Sequence, residues 1–549
     1  MPLLGWRIRR RSSRRLRVSV VVRLKAPVLA CGVLLAFLSV ACRRDALTPP
    51  SNVTAAMPVP SASFTLGPSP EPTMPQPTVS PTPRPTPTPA YPGTYAGTPT
   101  PDPAVPDVAG RPSPDVYLVR PGDTLTGIAW AFGCTVEELV RANGLRNANA
   151  IWVGQRLVIP VVPTLTGSAL KLVPDSELVY GPAYIHFDLE GFVAGQAGYL
   201  ASYAEMADGR QLSGAEIVQT VAQRFSVGPR VLLALLELRA GWVTDPDPPA
   251  DTLTYPLGRV EFRRRGLYGQ LEWTAAELNA GYYAWRQDGS ATARLTDGQR
   301  VAFAPGLNAG TAGVQNYLAT VSDGPAWQRA LGPDGFPGAY GRLFGNPFAY
   351  TVEPFVPSDL VQPEMRLPWP AGDTWYLTGG PHEGWGRGSA WAGLDFVPGD
   401  MTGGCSPSRE WATAAASGLV VRSQTGEVVV DLDGDGYEQS GWVLTYLHLA
   451  ADGRVPAGTW VERGQRIGHP SCEGGFADAT HVHIARRFNG EWIRAGAGQV
   501  PFVLSGWTAH EGQHAYDGRL TKGDDTRTAC ECMLDGYNGL VSDTDWSEK

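Results

Sequence analysis

The stretch His481-Val482-His483-Ile484 decides how the C-terminal part of this 549-residue chain is read. Side chains two apart on a strand point to one face, so His481 and His483 converge on one centre while Val482 and Ile484 face the other side. Of the eight histidines in the chain, seven lie at or after His382, which concentrates imidazole chemistry in this region. Working outward, His448 stands in Tyr446-Leu447-His448-Leu449, His382 in Gly379-Gly380-Pro381-His382, and Asp395 in Gly393-Leu394-Asp395-Phe396. Leu394 and Phe396 alternate around Asp395, which places the carboxylate opposite two core residues. A catalytic zinc site needs three N or O ligands and one open position, and this set is large enough to fill it. A pair of histidines at i and i+2 carries little weight alone; four histidines with one carboxylate carry much more. His469, His510 and His514 read as bland, the last two solvated in a Gly-rich tail.

With Thr459-Trp460-Val461-Glu462-Arg463-Gly464-Gln465-Arg466-Ile467-Gly468, this set resembles the lysostaphin-like zinc metallopeptidases, family twenty-three of the metallopeptidases, over roughly Leu367 to Phe488. Most members place the first ligand histidine four residues before the aspartate, where this chain has Trp391. The β-lytic and staphylolytic branch places it thirteen residues before, which is the spacing of His382 and Asp395. The resemblance implies an all-β antiparallel sheet of the duplicated hybrid motif over residues 366–505. It implies one Zn2+ held by His382, Asp395 and His483, with His448 and His481 beside it as catalytic groups, and endopeptidase cleavage of peptidoglycan cross-links. No Glu general base of the H-E-x-x-H kind is present.

Upstream, Val116-Tyr117-Leu118-Val119 reads as a strand and Arg120-Pro121-Gly122-Asp123 as a turn. Helices follow over Leu125 to Phe132 and Val136 to Asn143, and Gln155 to Pro160 closes as a strand. Residues 116–160 resemble the LysM family along their whole length, through Val119 to Leu125, Ala142-Asn143-Gly144-Leu145 and Val153 to Pro160. That resemblance implies a β-α-α-β fold and a groove for N-acetylglucosamine polymers. Asp123, Thr124, Asn143, Gly144 and Leu145 stand at the turns that would line it, where Asp123 serves equally well as a turn and helix cap.

Residues 165–357 read as a mostly helical domain: Ile217, Val218, Val221 and Phe225 recur at helical spacing, and Val231 to Leu238 is almost continuously apolar. Val231 to Trp242 is faintly similar to the helix that carries the catalytic Glu of lysozyme-like lytic transglycosylases. That Glu falls on Arg239, which cannot supply a proton near neutrality, and Glu237 lies on another face. The domain reads as a non-catalytic scaffold or glycan-binding unit.

The N-terminus differs in kind. Residues 1 to 44 hold eleven Arg or Lys and no acid, leaving 34 basic against 53 acidic residues, a net −19, over the other 505. An acidic body argues against a nucleic-acid binder. The basic stretch and the 16-residue apolar run Ala26 to Ala41 have the order of a secretory signal over residues 1–42, and Ser39-Val40-Ala41-Cys42 resembles a lipoprotein cleavage box. Membrane contact is expected only through this leader or a lipid on Cys42, and the mature chain outside the cytoplasm. Of 49 prolines, 21 fall between Pro49 and Pro114, so residues 43–115 read as an extended Pro/Thr-rich tether.

Two smaller features complete the reading. Asp431-Leu432-Asp433-Gly434-Asp435-Gly436 matches half of a calcium loop, but Trp442 stands where its closing Glu belongs, and an acidic hairpin explains it without metal. Cys405 with Cys472 is the favoured disulfide, Cys530 and Cys532 pair in the tail region 506–549, and Cys134 is a small buried residue. The function expected is a wall-targeted zinc endopeptidase acting on peptidoglycan. The alternative is a catalytically inactive wall-binding protein that recruits another hydrolase, favoured if His382 cannot reach Asp395.

Overall fold

The structure, a computed structural model, describes residues 115–543 apart from 121, 133, 135, 148–149, 161–163, 289–291, 402 and 499. The leader, Cys42 and the tether up to residue 114 lie outside the described residues. What is described has three parts: a small β-α-α-β module, a helical middle region and a β-rich C-terminal region.

In the module, β1 (Asp115–Leu118) pairs antiparallel with β2 (Arg156–Ile159), with α1 (Leu125–Phe132) and α2 (Val136–Asn143) between them. The Thr124 hydroxyl accepts the Gly127 N–H at 3.0 Å and caps α1. Glu137 and Glu138 sit at the positive end of α2 and Arg141 at its negative end. Leu139, Leu157 and Ile159 are wholly buried, with Cys134 beside them. Fully burying an aliphatic side chain of this size is worth about 1.5–3 kcal/mol.

The middle region is built on α3 (Gly214–Phe225), α4 (Pro229–Ala240), α5 (Gly266–Asp288) and α6 (Ala309–Thr320). A capping box starts α3: Ser213 Oγ accepts from Glu216 N–H, and Glu216 returns its carboxylate to Ser213 N–H. Pro229 opens α4 and Gly241, at φ +69°, closes it. Glu237 accepts from the N–H groups of Val243 and Thr244 and from the Thr244 hydroxyl, so it ties down the turn after α4. Strands Thr164–Thr166, Thr292–Arg294 and Arg300–Ala302 add a small sheet that helical periodicity does not reveal.

The C-terminal region is one nine-stranded sheet with smaller ribbons against it. Its strands are β3 (Thr374–His382), β4 (Gly393–Val397), β5 (Gly418–Gln424), β6 (Glu427–Asp431), β7 (Trp442–Leu447), β8 (Trp460–Val461), β9 (Val482–Phe488), β10 (Glu491–Trp492) and β11 (Gly539–Val541). The spatial order is β8-β5-β6-β7-β9-β4-β3-β11, with β10 folding back on β9, and every pairing is antiparallel. One face, with Leu394, Phe396, Leu444, Tyr446, Val482 and Ile484, closes on the core of the C-terminal region itself. On the other face His483 leads to Ala485, and Ala485 packs with Leu447, Trp385 and Trp492 into the core of the helical region.

That second face is clamped by hydrogen bonds. Glu491 accepts from the Tyr282 hydroxyl at 3.0 Å and from Arg286 at 3.1 Å, and Trp492 N–H donates to the Tyr283 oxygen at 2.9 Å. Ser226, just past α3, donates to the Gly490 carbonyl at 2.6 Å. The hairpin that ends in the two histidines is therefore gripped at its far end by α3 and α5.

Two readings of the sequence need correction or completion. The segment expected as a tail over 506–549 is folded as far as it is described, to residue 543: Trp507–Glu511, Gly518–Lys522 and Asp525–Thr528 form a sheet with Val503–Leu504, and β11 becomes an edge strand beside β3. The physical reason is that Trp507, Ala509, Leu520 and Leu540 bury into the core of the C-terminal region. Consequently His510 is half-buried, 2.8 Å from the Thr521 hydroxyl, whereas His514 is exposed. Cys405 is bonded to Cys472 and Cys530 to Cys532. Asp431, Asp433 and Asp435 bring carboxylate oxygens within 4.8 Å of one another at the turn between β6 and β7, the hairpin expected there.

Candidate metal centre

Strand register builds the centre. His483 on β9 pairs with Asp395 on β4 on one side and Leu447 on β7 on the other, which puts His448 at the end of β7 beside it. His382 ends β3, and bulges between Leu377 and His382 turn it toward Asp395. The ten residues 383–392 loop out and return to β4, so a spacing of thirteen brings the two side chains together: His382 Nε2 lies 3.3 Å from Asp395 Oδ1. Trp391 takes no part and packs under the Arg494 guanidinium instead.

His483 Nδ1 is 3.1 Å from Asp395 Oδ1 and 2.9 Å from His382 Nε2. His481 Nε2 stands 3.7 Å from the same carboxylate oxygen, and the His481 and His448 rings are 4.4 Å apart between centroids. His382, Asp395, His448 and His483 are all buried.

The backbone sets the tautomers. His382 Nδ1 lies 2.7 Å from the Gly380 carbonyl, His483 Nε2 3.1 Å from that of Gly384, His448 Nδ1 3.1 Å from that of Glu473, and His481 Nδ1 2.7 Å from that of Ala479. A carbonyl only accepts, so each of these nitrogens carries the proton and the other ring nitrogen presents a lone pair. Lone pairs on His382 Nε2 and His483 Nδ1 therefore meet the Asp395 carboxylate at about 3 Å, and such a trio needs a cation among its members. Bond lengths of about 2.0–2.1 Å from zinc to N or O put tetrahedral ligands roughly 3.3 Å from one another, so the spacing fits. The carbonyls behind the two imidazoles are the outer partners that orient ligating histidines.

The electrostatics agree with this arrangement. Burial alone would raise the Asp395 carboxyl, but His382 and His481 beside it hold it well below the usual carboxylate range. Burial, with His481 and His483 adding to it, pushes His448 down to about 3, so it is neutral at pH 7. Burial also lowers His483. His382 is the exception: burial lowers it, but the Asp395 carboxylate more than offsets this and the net shift is upward.

Sequence reading misses Tyr516. Its ring stacks on His382 at 4.1 Å between centroids and 19° between planes, its backbone is left-handed at φ +72°, and its peptide groups bond to Gly380 and Pro381. It comes from the segment taken for a tail, and no local pattern marks it. In the LysM module, Asp123 accepts from the Tyr117 hydroxyl and Arg120 N–H. Thr124 caps α1, and the Asn143 side chain bonds the backbone of Leu139 and Val158. These three side chains hold the turns on either side of Gly122 and at the end of α2, beside Gly144 and Leu145.

The LysM domain family matches residues 117–160, and the family described as LasA, N-terminal domain, matches residues 171–356. Protease LasA of Pseudomonas aeruginosa (strain UCBPP-PA14) is 26% identical over 360 residues, 61% of this chain and 78% of its own length. The N-acetylmuramoyl-L-alanine amidase XlyA of Bacillus subtilis (strain 168) is 42% identical over 59 residues, 11% of this chain and 20% of its own. Among solved structures, the M23 metalloprotease pseudoalterin is 24% identical with a TM-score of 0.27, covering 33% of this chain and 99% of that one. The catalytic domain of lysostaphin from Staphylococcus simulans is 22% identical with a TM-score of 0.15, covering 22% and 86%. The chain joins a LysM domain to a LasA N-terminal domain and is similar to the LasA proteases over 61% of its length.

Proposed function

We propose that the chain is a zinc-dependent endopeptidase that hydrolyses peptide cross-links of peptidoglycan outside the cytoplasm, with its LysM module holding glycan strands at the turns Asp123–Thr124 and Asn143–Leu145. The observation that carries this is the group of four imidazoles, each with one nitrogen on a backbone carbonyl, three of which turn the other nitrogen to within 3.7 Å of Asp395 while His448 stands beside His481. His382 Nε2, Asp395 Oδ1 and His483 Nδ1 would hold one zinc ion. When bound, zinc lowers the pKa of a bound water and polarises a carbonyl oxygen.

The rest of the chemistry belongs to the chain. His448 and His481 stand beside the ligand trio without belonging to it, each with its Nδ1 proton tied to a carbonyl and its Nε2 open. Neutral His448 orients the attacking water, whose proton passes to the His448–His481 pair as the bond to the carbonyl carbon forms. The pair then stabilises the developing oxyanion and returns a proton to the leaving amine. The Cys405–Cys472 disulfide, with Thr480 N–H donating to Gly404 O and its hydroxyl to Ser406 O, fixes the loop that delivers His481.

The competing reading, an inactive recruiter of another hydrolase, is favoured if His382 cannot reach Asp395; the two stand 3.3 Å apart, which supports the enzyme reading. The test is mass spectrometry of wall fragments released by the purified chain, with and without a zinc chelator. New peptide termini at cross-links, lost with chelator and regained with zinc, support the reading; intact peptides under both conditions refute it.

A further inference from the structure

The segment between the short turn Ala250–Thr252 and α5 presents an outward surface that the peptidase reading does not use. Val260 is 79% exposed and Phe262 76%, with Arg259, Glu261, Arg263 and Arg265 exposed around them. On a slack loop, such apolar side chains would fold down onto the protein. Here the backbone is pinned. Gln270, wholly buried in α5, accepts from the N–H groups of Leu257 and Arg259 at 3.2 Å each and donates to the carbonyls of Arg259 at 2.8 Å and Arg264 at 2.7 Å. The Tyr317 hydroxyl donates to Leu257 O at 2.9 Å, and Gly266 N–H to Thr254 O at 3.1 Å. The fold thus spends buried hydrogen bonds on holding Val260 and Phe262 in solvent.

Charge distinguishes this surface from the rest of the molecule. Residues 259–265 hold four arginines and one acid, a net +3, in a chain whose residues 45–549 sum to −19. Arg259 pairs with Glu261 at 3.2 Å and Arg264 with Glu272 at 3.4 Å. Arg265 lies 4.7 Å over the Phe262 ring and donates to the Tyr255 hydroxyl, which leaves its charge uncompensated. Arg263 meets no carboxylate among the described residues. A second copy of the chain, like face to like face, would set +3 against +3. A soluble polyanion would satisfy the arginines and leave Val260 and Phe262 in water. Apolar tips flanked by cations are matched by an interface that is apolar just beneath an anionic surface.

We infer that the Arg259–Arg265 loop docks on an anionic lipid bilayer, with Val260 and Phe262 entering the headgroup boundary and Arg263 and Arg265 meeting lipid phosphates. This adds a membrane contact to the one expected from the leader, and it stands whether or not the chain is a peptidase. Each arginine close to such a surface strengthens binding roughly fivefold at moderate salt.

The test is hydrogen exchange of residues 253–266 in the full chain, mixed with vesicles of about one-third phosphatidylglycerol in phosphatidylcholine. Exchange of this segment should slow about tenfold, with no slowing on pure phosphatidylcholine and relief at high salt, where screening removes the attraction. The Val260→Ser/Phe262→Ser double variant should show no slowing on the same vesicles, even if the leader still brings the chain to them. The inference is overturned by unchanged exchange in the wild-type chain or by equal slowing in wild type and double variant. It is also overturned by equal slowing with soluble polyphosphate, or by slowing at high protein concentration without lipid, which would assign the face to a second copy.

Discussion

Replacing Glu491 with Ala tests whether the helical region holds the histidine hairpin in place. The Tyr282 hydroxyl, wholly buried, would lose its acceptor, which costs about 1–3 kcal/mol. The Arg286 side chain is 32% exposed and also lies 3.8 Å from Asp175, so it re-solvates in part and keeps one partner. The loss therefore stays below the ~3–5 kcal/mol expected on breaking a wholly buried pair. Burial raises the Glu491 carboxyl pKa, despite Arg286 and Tyr282, so the ionised carboxylate is itself held at a cost that Ala removes. The net expectation is a loss of about 2 kcal/mol for Glu491→Ala and under about 1 kcal/mol for Glu491→Gln, which keeps an acceptor.

The pH dependence of the Gln variant follows from the raised carboxyl. The folded state binds this proton more tightly than the unfolded state, so the stabilisation is full below the unfolded value of about 4.3 and is lost as pH rises through the folded value. Glu491→Gln should therefore compare better with the wild type at pH 8 than at pH 4. Urea unfolding followed by tryptophan fluorescence reads both effects. A Glu491→Ala midpoint equal to that of the wild type, or a Gln variant weaker than Ala, would refute the clamp.

Three further outcomes are expected. Cys405→Ser with Cys472→Ser opens a covalent link between residues 67 apart, and loop entropy puts its stabilisation at about 4 kcal/mol, read as a lowered urea midpoint matched by reduction of the native chain. Burial, then the neighbouring Asp433, raises Asp431 to about 7, so its contribution is present below about 4 and lost as pH rises toward 7; Asp431→Asn should remove that part of the stability slope between pH 4 and 7 in calorimetry. Tyr516→Ala frees the His382 ring from its stacking partner and should weaken zinc affinity about tenfold in chelator competition, whereas Tyr516→Phe keeps the ring and the affinity.

Elements whose local chemistry agrees with their packing are legible in the sequence. The first LysM helix starts where Thr124 caps it, and the second stops at Asn143, before Gly144 at φ +60°. His481 and His483 share a face because the strand period is two and Val482 and Ile484 need the core on the other side. The spacing of His382 and Asp395 is legible only through a family resemblance, since nothing in residues 383–392 announces a loop that returns.

Other features depend on contacts far apart in the chain. Residues 507–541 escape because their strands are short and rich in Thr, Arg and Asp, with only Trp507, Ala509, Leu520 and Leu540 turned inward. Tyr516 reaches His382 across 134 positions and has no local mark. Glu491 and Arg487 carry no local sign of burial, yet both are buried, because the helical region covers that face of the sheet.

The central claim is that Asp395, held ionised among four imidazoles, is the anchor of a hydrolytic zinc centre. The most direct measurement is the release of new amino termini from purified peptidoglycan by the zinc-loaded chain and by Asp395→Ala. The account predicts steady release by the first and a loss of at least about a thousandfold in the second, since the carboxylate that the three-residue metal group contributes is removed. Equal release by both proteins would contradict it.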